Sequence, residues 1–328
     1  MTEQHLKLTR RTLIAAATVA AVLPGAAFAQ SNTYPSATVT FVCAFPAGSG
    51  ADVLVRFFSE KVAQVSKQTV IVENKPGANG NIAAEYVSRA KPDGYTVYVH
   101  SGTSTAANMS LFKKPPIDVT KALRGVQFIN KQPFMIAVAA DSPIKDMKQL
   151  TEHLKGKGGD ATYGSTATSG KVLAEVYLQL AGVAATEVAY KTGPDSLNDI
   201  VSGQLDFAAL DPVFALSQQR EGRLRLLAVG SPQRMKSTPD IPAIKEYGLN
   251  VDQLGWWGVF VPAKTPDDVV MKLHDLFQSV LEKPETEAFL NKFGGDVYTG
   301  TPKEVDELLA KTVEEWRGYV ALAKIPQN

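Results

Sequence analysis

A short apolar run at residues 41–45 is followed by a glycine- and serine-bearing turn at 46–52, and then by a helical pattern of apolar residues that continues to Val65. This order predicts a buried strand that turns directly into a helix. The first N–H groups of a helix have no partner inside it, and the helix dipole is positive at that end. Together with the Ser49 hydroxyl, these donors predict a site for an anion.

Two further turns have the same design. A strand at 161–164 leads into the hydroxyl-rich turn 165–170, and a strand at 95–100 leads into the turn 101–105. Any one such turn is also explained by ordinary helix capping. Three of them in one chain favour a binding function, and their wide separation predicts two lobes that grip one acidic ligand.

The first 29 residues have the pattern of an export signal. Lys7, Arg10 and Arg11 precede a short apolar run, and an A-x-A cleavage site ends at Ala29. The segment around the two arginines is also similar to a twin-arginine signal, so both the twin-arginine and the ordinary secretory route stay open. The apolar run is too short to span a bilayer, which predicts no direct membrane insertion.

Charge and cysteine content narrow the function further. The 328-residue chain has a formal net charge of +1, and removal of residues 1–29 takes away three basic residues and one acidic residue, which leaves −1. No basic excess is present to attract nucleic acid or an anionic membrane. Cys43 is the only cysteine, so an internal disulfide is excluded, and its position inside the chain excludes an N-terminal lipid anchor.

Strands and helices alternate along the chain, which predicts parallel α/β sheets with ligands at the carboxyl ends of the strands. An apolar strand at 134–139 is predicted to carry the chain into a second lobe, and a strand at 256–261 to return it. We therefore expect residues 30–133 and 259–328 to form lobe 1 and residues 134–258 to form lobe 2. A length of 328 residues suits two such domains.

Familiar catalytic, metal-binding and cofactor motifs are not found, so neither a metal nor a cofactor is expected. His100 with Ser49 or Ser165 is the one combination that a secreted serine hydrolase would need. Asp211 ends an apolar strand before Pro212. It either caps the next helix or faces the ligand, where it would hold an ammonium group or repel a second carboxylate.

Seven stretches, in conserved order and spacing along the chain, resemble the substrate-binding receptors of tripartite tricarboxylate transporters, also called the Bug family. They are residues 46–52, 72–80, 91–96, 163–165, 188–191, 203–206 and 226–229. The resemblance implies a two-lobed α/β periplasmic-binding-protein fold, a type II-like Venus flytrap with two crossover strands. The chain departs from the family pattern at Ala47, where glycine is commoner. It also departs at the start of the helix that follows the turn 165–170, where this chain has no histidine.

The resemblance also implies which residues bind. Those assigned to the carboxylate are Ala47, Gly48, Ser49, Gly50, Ala51, Asp52, Ser165, Thr166, Ala167, Thr168 and Ser169, and those assigned to the cleft are Asn79, Gly80, Ser101, Gly102 and Thr103. The function so implied is that of a monomeric periplasmic receptor that passes a small carboxylate to membrane permease subunits. A sensory receptor for a membrane signalling system is the alternative. Ser165→Ala and Gly50→Pro are each expected to weaken binding tenfold or more.

Overall fold

A computed structural model describes residues 34–190 and 192–327. The predicted export signal at 1–29 lies outside the described residues. The strands are β1 (Val39–Cys43), β2 (Val70–Asn74), β3 (Thr96–Ser101), β4 (Leu123–Lys131), β5 (Met135–Ala139), β6 (Thr162–Ser165), β7 (Thr186–Ala189), β8 (Phe207–Leu210), β9 (Leu224–Val229), β10 (Trp256–Pro262) and β11 (Asp296–Val297).

Helices follow most of these strands. They are α1 (Gly50–Ser66), α2 (Asn81–Ser88), α3 (Gly102–Leu111), α4 (Val119–Ala122), α5 (Met147–Lys157), α6 (Thr168–Ala181), α7 (Gly193–Val201), α8 (Pro212–Arg220), α9 (Asp267–Leu281), α10 (Pro284–Lys292) and α11 (Pro302–Leu322). Short 3₁₀ turns cover Ala78–Gly80, Gly158–Asp160 and Ile244–Tyr247.

The strands form two sheets, and each sheet is the centre of one lobe. The first lobe has six strands in the order β11-β4-β10-β3-β1-β2, and the second has five in the order β7-β6-β8-β5-β9. The predicted two-lobed α/β fold is thus confirmed. In the first lobe, for example, the strand β1 is buried from Phe41 to Cys43, and it contacts α1, whose Leu54 and Phe58 are also buried.

The sheets are mixed rather than parallel, so the prediction of parallel sheets was wrong in this respect. β1 pairs in parallel with β2 and β3, and β6 with β7 and β8. β10 runs antiparallel to β3 and β4, and β5 runs antiparallel to β8 and β9. The reason is that the chain enters β5 and β10 directly from the other lobe. No crossover helix turns the chain round to match its neighbours.

The chain passes between the lobes twice, once between β4 and β5 and once between β9 and β10. The two crossing segments touch, because the N–H of Gln132 donates to the carbonyl of Gly255 at 2.7 Å. A side chain at Gly255 would bring its Cβ within 2.1 Å of the Gln132 carbonyl oxygen, so this approach requires glycine. The predicted boundaries at 133/134 and 258/259 stay predictions, and the second falls inside β10.

Helix α11 joins the two hydrophobic cores. Val305 and Leu309, in its first half, pack in the core of the first lobe. Trp316 and Val320, in its second half, pack in the core that contains β5 of the second lobe. The lobes are therefore connected by the two crossings and by one continuous helix.

Candidate functional site

A cavity of about 640 Å³ is lined by residues of both lobes and of both crossing segments. Four helices begin at this cavity, namely α1 and α3 from the first lobe and α6 and α8 from the second. Each follows a strand directly, so the carboxyl ends of β1, β3, β6 and β8 all point towards one space. The volume lies within the range of about 300–1,000 Å³ that is usual for small-molecule sites.

The corner between β1 and α1 is held by its own hydrogen bonds. The Ser49 hydroxyl caps α1 by accepting from the Asp52 N–H at 3.2 Å. The buried Asp52 carboxylate accepts from the Gly48 N–H, from Arg56 Nε and from Asn74 Nδ2, each at 2.8 Å. Burial raises the pKa of Asp52, but these hydrogen bonds outweigh it and lower the pKa to about 2. Asp52 and Gly48 therefore fix the turn, while Ser49 lines the cavity.

The corner between β3 and α3 is tied to the second crossing segment. The Ser101 hydroxyl caps α3 by accepting from the Ser104 N–H at 3.1 Å. The Thr103 hydroxyl oxygen accepts from the Trp256 N–H at 3.1 Å. A Cβ at Gly102 would lie 2.1 Å from the Trp256 ring, so Gly102 permits this packing and does not line the cavity.

Asn79 and Gly80 lie beside that corner but in different surroundings. Asn79 lines the cavity, and its Nδ2 donates to Asn108 Oδ1 at 2.8 Å. Gly80 is buried, and its carbonyl accepts from the Tyr98 hydroxyl at 3.3 Å. Of this predicted pair, Asn79 alone faces the cavity.

The corner between β6 and α6 has no side-chain cap. The N-cap position of α6 is the exposed Ala167, which has no acceptor to offer the first-turn N–H groups. Ala167 and Ser169 line the cavity, and Gln253 of the second crossing segment donates from Nε2 to the Ser169 carbonyl at 3.0 Å. This helix start therefore presents N–H groups that its own side chains leave available.

Ser165 lies behind the helix start rather than on the cavity wall. It is 3% exposed, and its hydroxyl donates to Glu187 Oε1 at 2.6 Å. Glu187 also pairs with Lys171 in the first turn of α6. The assignment of Ser165 to carboxylate binding does not match this placement, because β6 continues through Ser165 and the side chain bonds to Glu187 of the neighbouring strand β7.

Asp211 caps a helix and also lines the cavity. Its Oδ1 accepts from the Phe214 N–H at 3.0 Å and caps α8, and the residue also lines the cavity. Burial raises the pKa of Asp211, and backbone hydrogen bonds reduce that rise. Among the described residues that line the cavity, Asp211 is the one ionisable side chain.

The structure brings many of the predicted residues together at the cavity, but not all of them. Those that line it are Ser49, Gly50, Ala51, Asn79, Ser101, Thr103, Ala167, Ser169 and Asp211, whereas Ala47, Gly48, Asp52, Gly80, Gly102, Ser165, Thr166 and Thr168 do not. The sequence analysis missed most of the remaining wall, which includes Phe45, Leu54, Gln132, Phe134, Phe214, Gln253 and Phe293. Phe45 ends the predicted first strand and Phe134 starts the predicted crossing strand, and either place would have pointed to the cleft.

The catalytic combination that a hydrolase needs is not assembled. The His100 ring is 1% exposed and packs against the rings of Phe45, Tyr98 and Trp257. Neither ring nitrogen has a hydrogen-bond partner among the described residues, and burial lowers the pKa of His100 to about 3. The ring is thus a neutral part of the core, with no serine hydroxyl bonded to it.

Comparison with known proteins decides the family. The family model of the tripartite tricarboxylate transporter receptors matches residues 54–323. The chain belongs to this receptor family. The predicted resemblance to the Bug receptors is confirmed, and the family is one of receptors rather than enzymes.

Individual relatives agree over nearly the whole chain. This chain is 32% identical to a UPF0065 protein of Bordetella bronchiseptica, and the match covers 97% of this chain and 94% of the relative. The solved structure of the periplasmic binding protein BugD is 25% identical, with a TM-score of 0.74, and covers 90% of this chain and all of BugD. MatC of Rhodopseudomonas palustris, solved with bound malate, is 25% identical, with a TM-score of 0.72, over 88% of this chain and all of MatC.

No helix within 34–190 or 192–327 is both long and apolar enough to cross a membrane. The same ranges hold no group of three or more His, Cys, Asp or Glu side chains placed to bind a metal ion.

Proposed function

We propose that this chain is a periplasmic receptor that closes around a small carboxylate and delivers it to the membrane subunits of a tripartite tricarboxylate transporter. The observation that carries the proposal is the convergence of four helix starts, two from each lobe, on one cavity. Membership of the receptor family and the malate bound to the related MatC support a carboxylate as the ligand.

The carboxylate is held by helix starts rather than by a cation. We assign it to Ser49, Gly50 and Ala51 from the first lobe and to Ala167 and Ser169 from the second, with Asn79, Ser101, Thr103 and Asp211 as further cavity contacts. Hydrogen bonds to a charged group contribute about 1.5–3 kcal/mol each. A few of them offset desolvation and leave the roughly 8 kcal/mol of a micromolar complex.

Closure follows from the division of these contacts between lobes. An open cleft offers the ligand only one set of donors, so a ligand that uses both sets shifts the population towards the closed form. The two crossing segments and α11 are the places where the lobes are joined and where such a motion must be absorbed.

Two measurements test the proposal. Calorimetry of the purified protein against a panel of small carboxylates should find at least one that binds at micromolar concentration or below. Cells that lack this chain should lose uptake of that acid, as should cells that lack the membrane subunits. Normal uptake together with loss of a transcriptional response to the acid would instead support the sensory role.

Export is tested separately. The protein recovered from the periplasm should begin at Gln30 by N-terminal mass spectrometry, as cleavage after Ala29 predicts, and should run as a monomer in size-exclusion chromatography. Retention of residues 1–29 on the exported protein would contradict the predicted signal.

A further inference from the structure

The cavity wall away from the helix starts is largely apolar and aromatic. The first lobe and the first crossing segment contribute large apolar side chains to it, namely Phe45, Phe134, Trp257 and Phe293, and Leu54 of α1 and Phe214 of α8 extend it next to the helix starts. Such a wall stabilises an apolar or planar body by burying its surface.

Asp211 and one ligand carboxylate are enough to neutralise the positive charge that the helix starts supply to the cavity. Each helix start carries about half a positive charge, so the four starts together supply about two. Asp211 contributes one negative charge and a ligand carboxylate a second, whereas Asp52 at the start of α1 is paired with Arg56 and adds no net charge. Among the described lining residues there is no lysine, arginine or histidine. A second carboxylate on the ligand would therefore be buried without a compensating charge, which is strongly unfavourable.

The polar groups beyond the helix starts also fit poorly with a second carboxylate. Gln253 is 5% exposed, and one of the two N–H groups of its Nε2 donates to the Ser169 carbonyl. Its Oε1 has no hydrogen-bond partner among the described residues. The Asp211 carboxylate, which lines the cavity, is an acceptor, and an ionised carboxylate on the ligand can only accept, so the two cannot bond to each other.

A ligand ammonium gains less from Asp211 than its charge suggests. The Asp211 carboxylate accepts the Phe214 N–H and lies at the positive end of α8, so its charge is already stabilised by its own helix. It needs no cation from the ligand to be accommodated.

We propose that this cavity takes monocarboxylates with an apolar or aromatic body, and that Asp211 excludes a second carboxylate. This inference rests on the proposed function, because it specifies the ligand of the same site. It makes this chain differ in specificity from MatC, whose bound malate carries two carboxylates.

Calorimetry with matched acids tests the inference. Hexanoate is compared with adipate, and 4-methylbenzoate with terephthalate, because each pair differs only in a methyl group exchanged for a carboxylate. We expect the monoacid of at least one pair to bind tenfold tighter than its diacid. In Asp211→Asn the ratio of the diacid's dissociation constant to that of the monoacid, the gap between the two acids, should fall at least fivefold. Asparagine keeps the helix cap and loses the charge. Asp160→Asn, an exposed site outside the cavity, is the control for net charge and should leave the gap as it is.

Each other outcome overturns a specific statement. Equal or tighter binding of the diacids would overturn the monocarboxylate specificity while leaving the carboxylate receptor intact. Tighter binding of phenylalanine than of 3-phenylpropanoate would instead overturn the statement that Asp211 needs no cation from the ligand, and would give Asp211 the role of holding an ammonium group. Failure of every acid in this set and in the wider carboxylate panel would overturn the proposed function itself.

Discussion

The starts of α1 and α6 occupy equivalent places in the two lobes but are stabilised in different ways. The start of α1 is capped by Ser49 and braced by the buried Asp52 carboxylate, which also holds the Gly48 N–H. The start of α6 has alanine at its cap position and depends on groups around it, with Gln253 in front and Ser165 and Glu187 behind. The first corner is thus largely complete by itself, whereas the second leaves its first-turn N–H groups to an incoming acceptor.

Because of this difference, we expect the two helix starts to contribute to ligand binding in different ways. A braced corner loses little conformational freedom when a ligand binds, so it positions the carboxylate at low cost. An uncapped corner gains a missing acceptor from the ligand, so it supplies the larger increment of binding free energy. The second lobe therefore has more to gain from closure than the first.

The largest expected effect comes from capping the uncapped corner. Ala167→Asp should stabilise the fold by about 0.5–2 kcal/mol through a new N-cap. It should also weaken carboxylate binding by about 100-fold, because the new side chain occupies the N–H groups and repels an anion. Thermal unfolding and calorimetry measure the two changes. Ala167→Asn caps without charge and should lose about tenfold. Unchanged affinity in Ala167→Asp would show that α6 does not hold the carboxylate.

The sequence predicted the corners because their determinants are local. A short apolar run followed by glycine, serine or threonine and then by a helical pattern is enough to place a helix start at the end of a strand. The same logic located Asp211 at the start of α8. The sequence also indicates that α6 has no side-chain cap, since Ala167 is the residue before the helix. This was missed because the hydroxyl groups around it suggested a cap.

The rest of the site depends on contacts between distant segments. Gln253 and Phe293 reach the cavity from the loop before β10 and from the end of α10, and no local pattern marks either position. Strand β4 was also missed, because Gln127 and Asn130 interrupt its apolar run. Both are fully buried, and Gln127 is accommodated by a hydrogen bond to Gln278 at 2.8 Å.

The brace of the first corner should be visible in the pH dependence of stability. The pKa of Asp52 is lowered from 3.8 to about 2 on folding, so the unfolded chain takes up the proton first as the pH falls. The resulting stabilisation, about 2 kcal/mol, is fully present above about pH 4 and is lost between about pH 4 and pH 2. Asp52→Asn should remove it. Urea unfolding at pH 7 should therefore show a lower free energy for the variant, and the difference should shrink at pH 3. A constant difference at both values would mean that Asp52 acts through packing alone.

Removing one ligand donor from the first corner should have a smaller effect. Gly50 is the first residue of α1, where proline is well tolerated because that N–H has no partner inside the helix. Gly50→Pro should therefore keep the fold and weaken carboxylate binding by about tenfold, the value of one hydrogen bond to a charged group. Gly50→Ala keeps the N–H and has open space for its Cβ, so it should lose much less. Equal affinities of the proline and alanine variants would remove this N–H from the site.

The smallest effect is expected at Ser165, for which the sequence alone predicted a tenfold loss. Its hydroxyl donates to Glu187 and not to the cavity, so Ser165→Ala should weaken carboxylate binding by less than threefold. The free energy of unfolding should fall by only about 1 kcal/mol, because Glu187 loses one hydrogen bond but keeps its contact with Lys171. Calorimetry and urea unfolding of the same preparation separate the two quantities. A tenfold loss of affinity without loss of stability would mean that the Ser165 hydroxyl turns to the ligand on closure. The starts of α1 and α6 would then differ in how their hydroxyl groups are placed, and not in whether a side chain caps the helix.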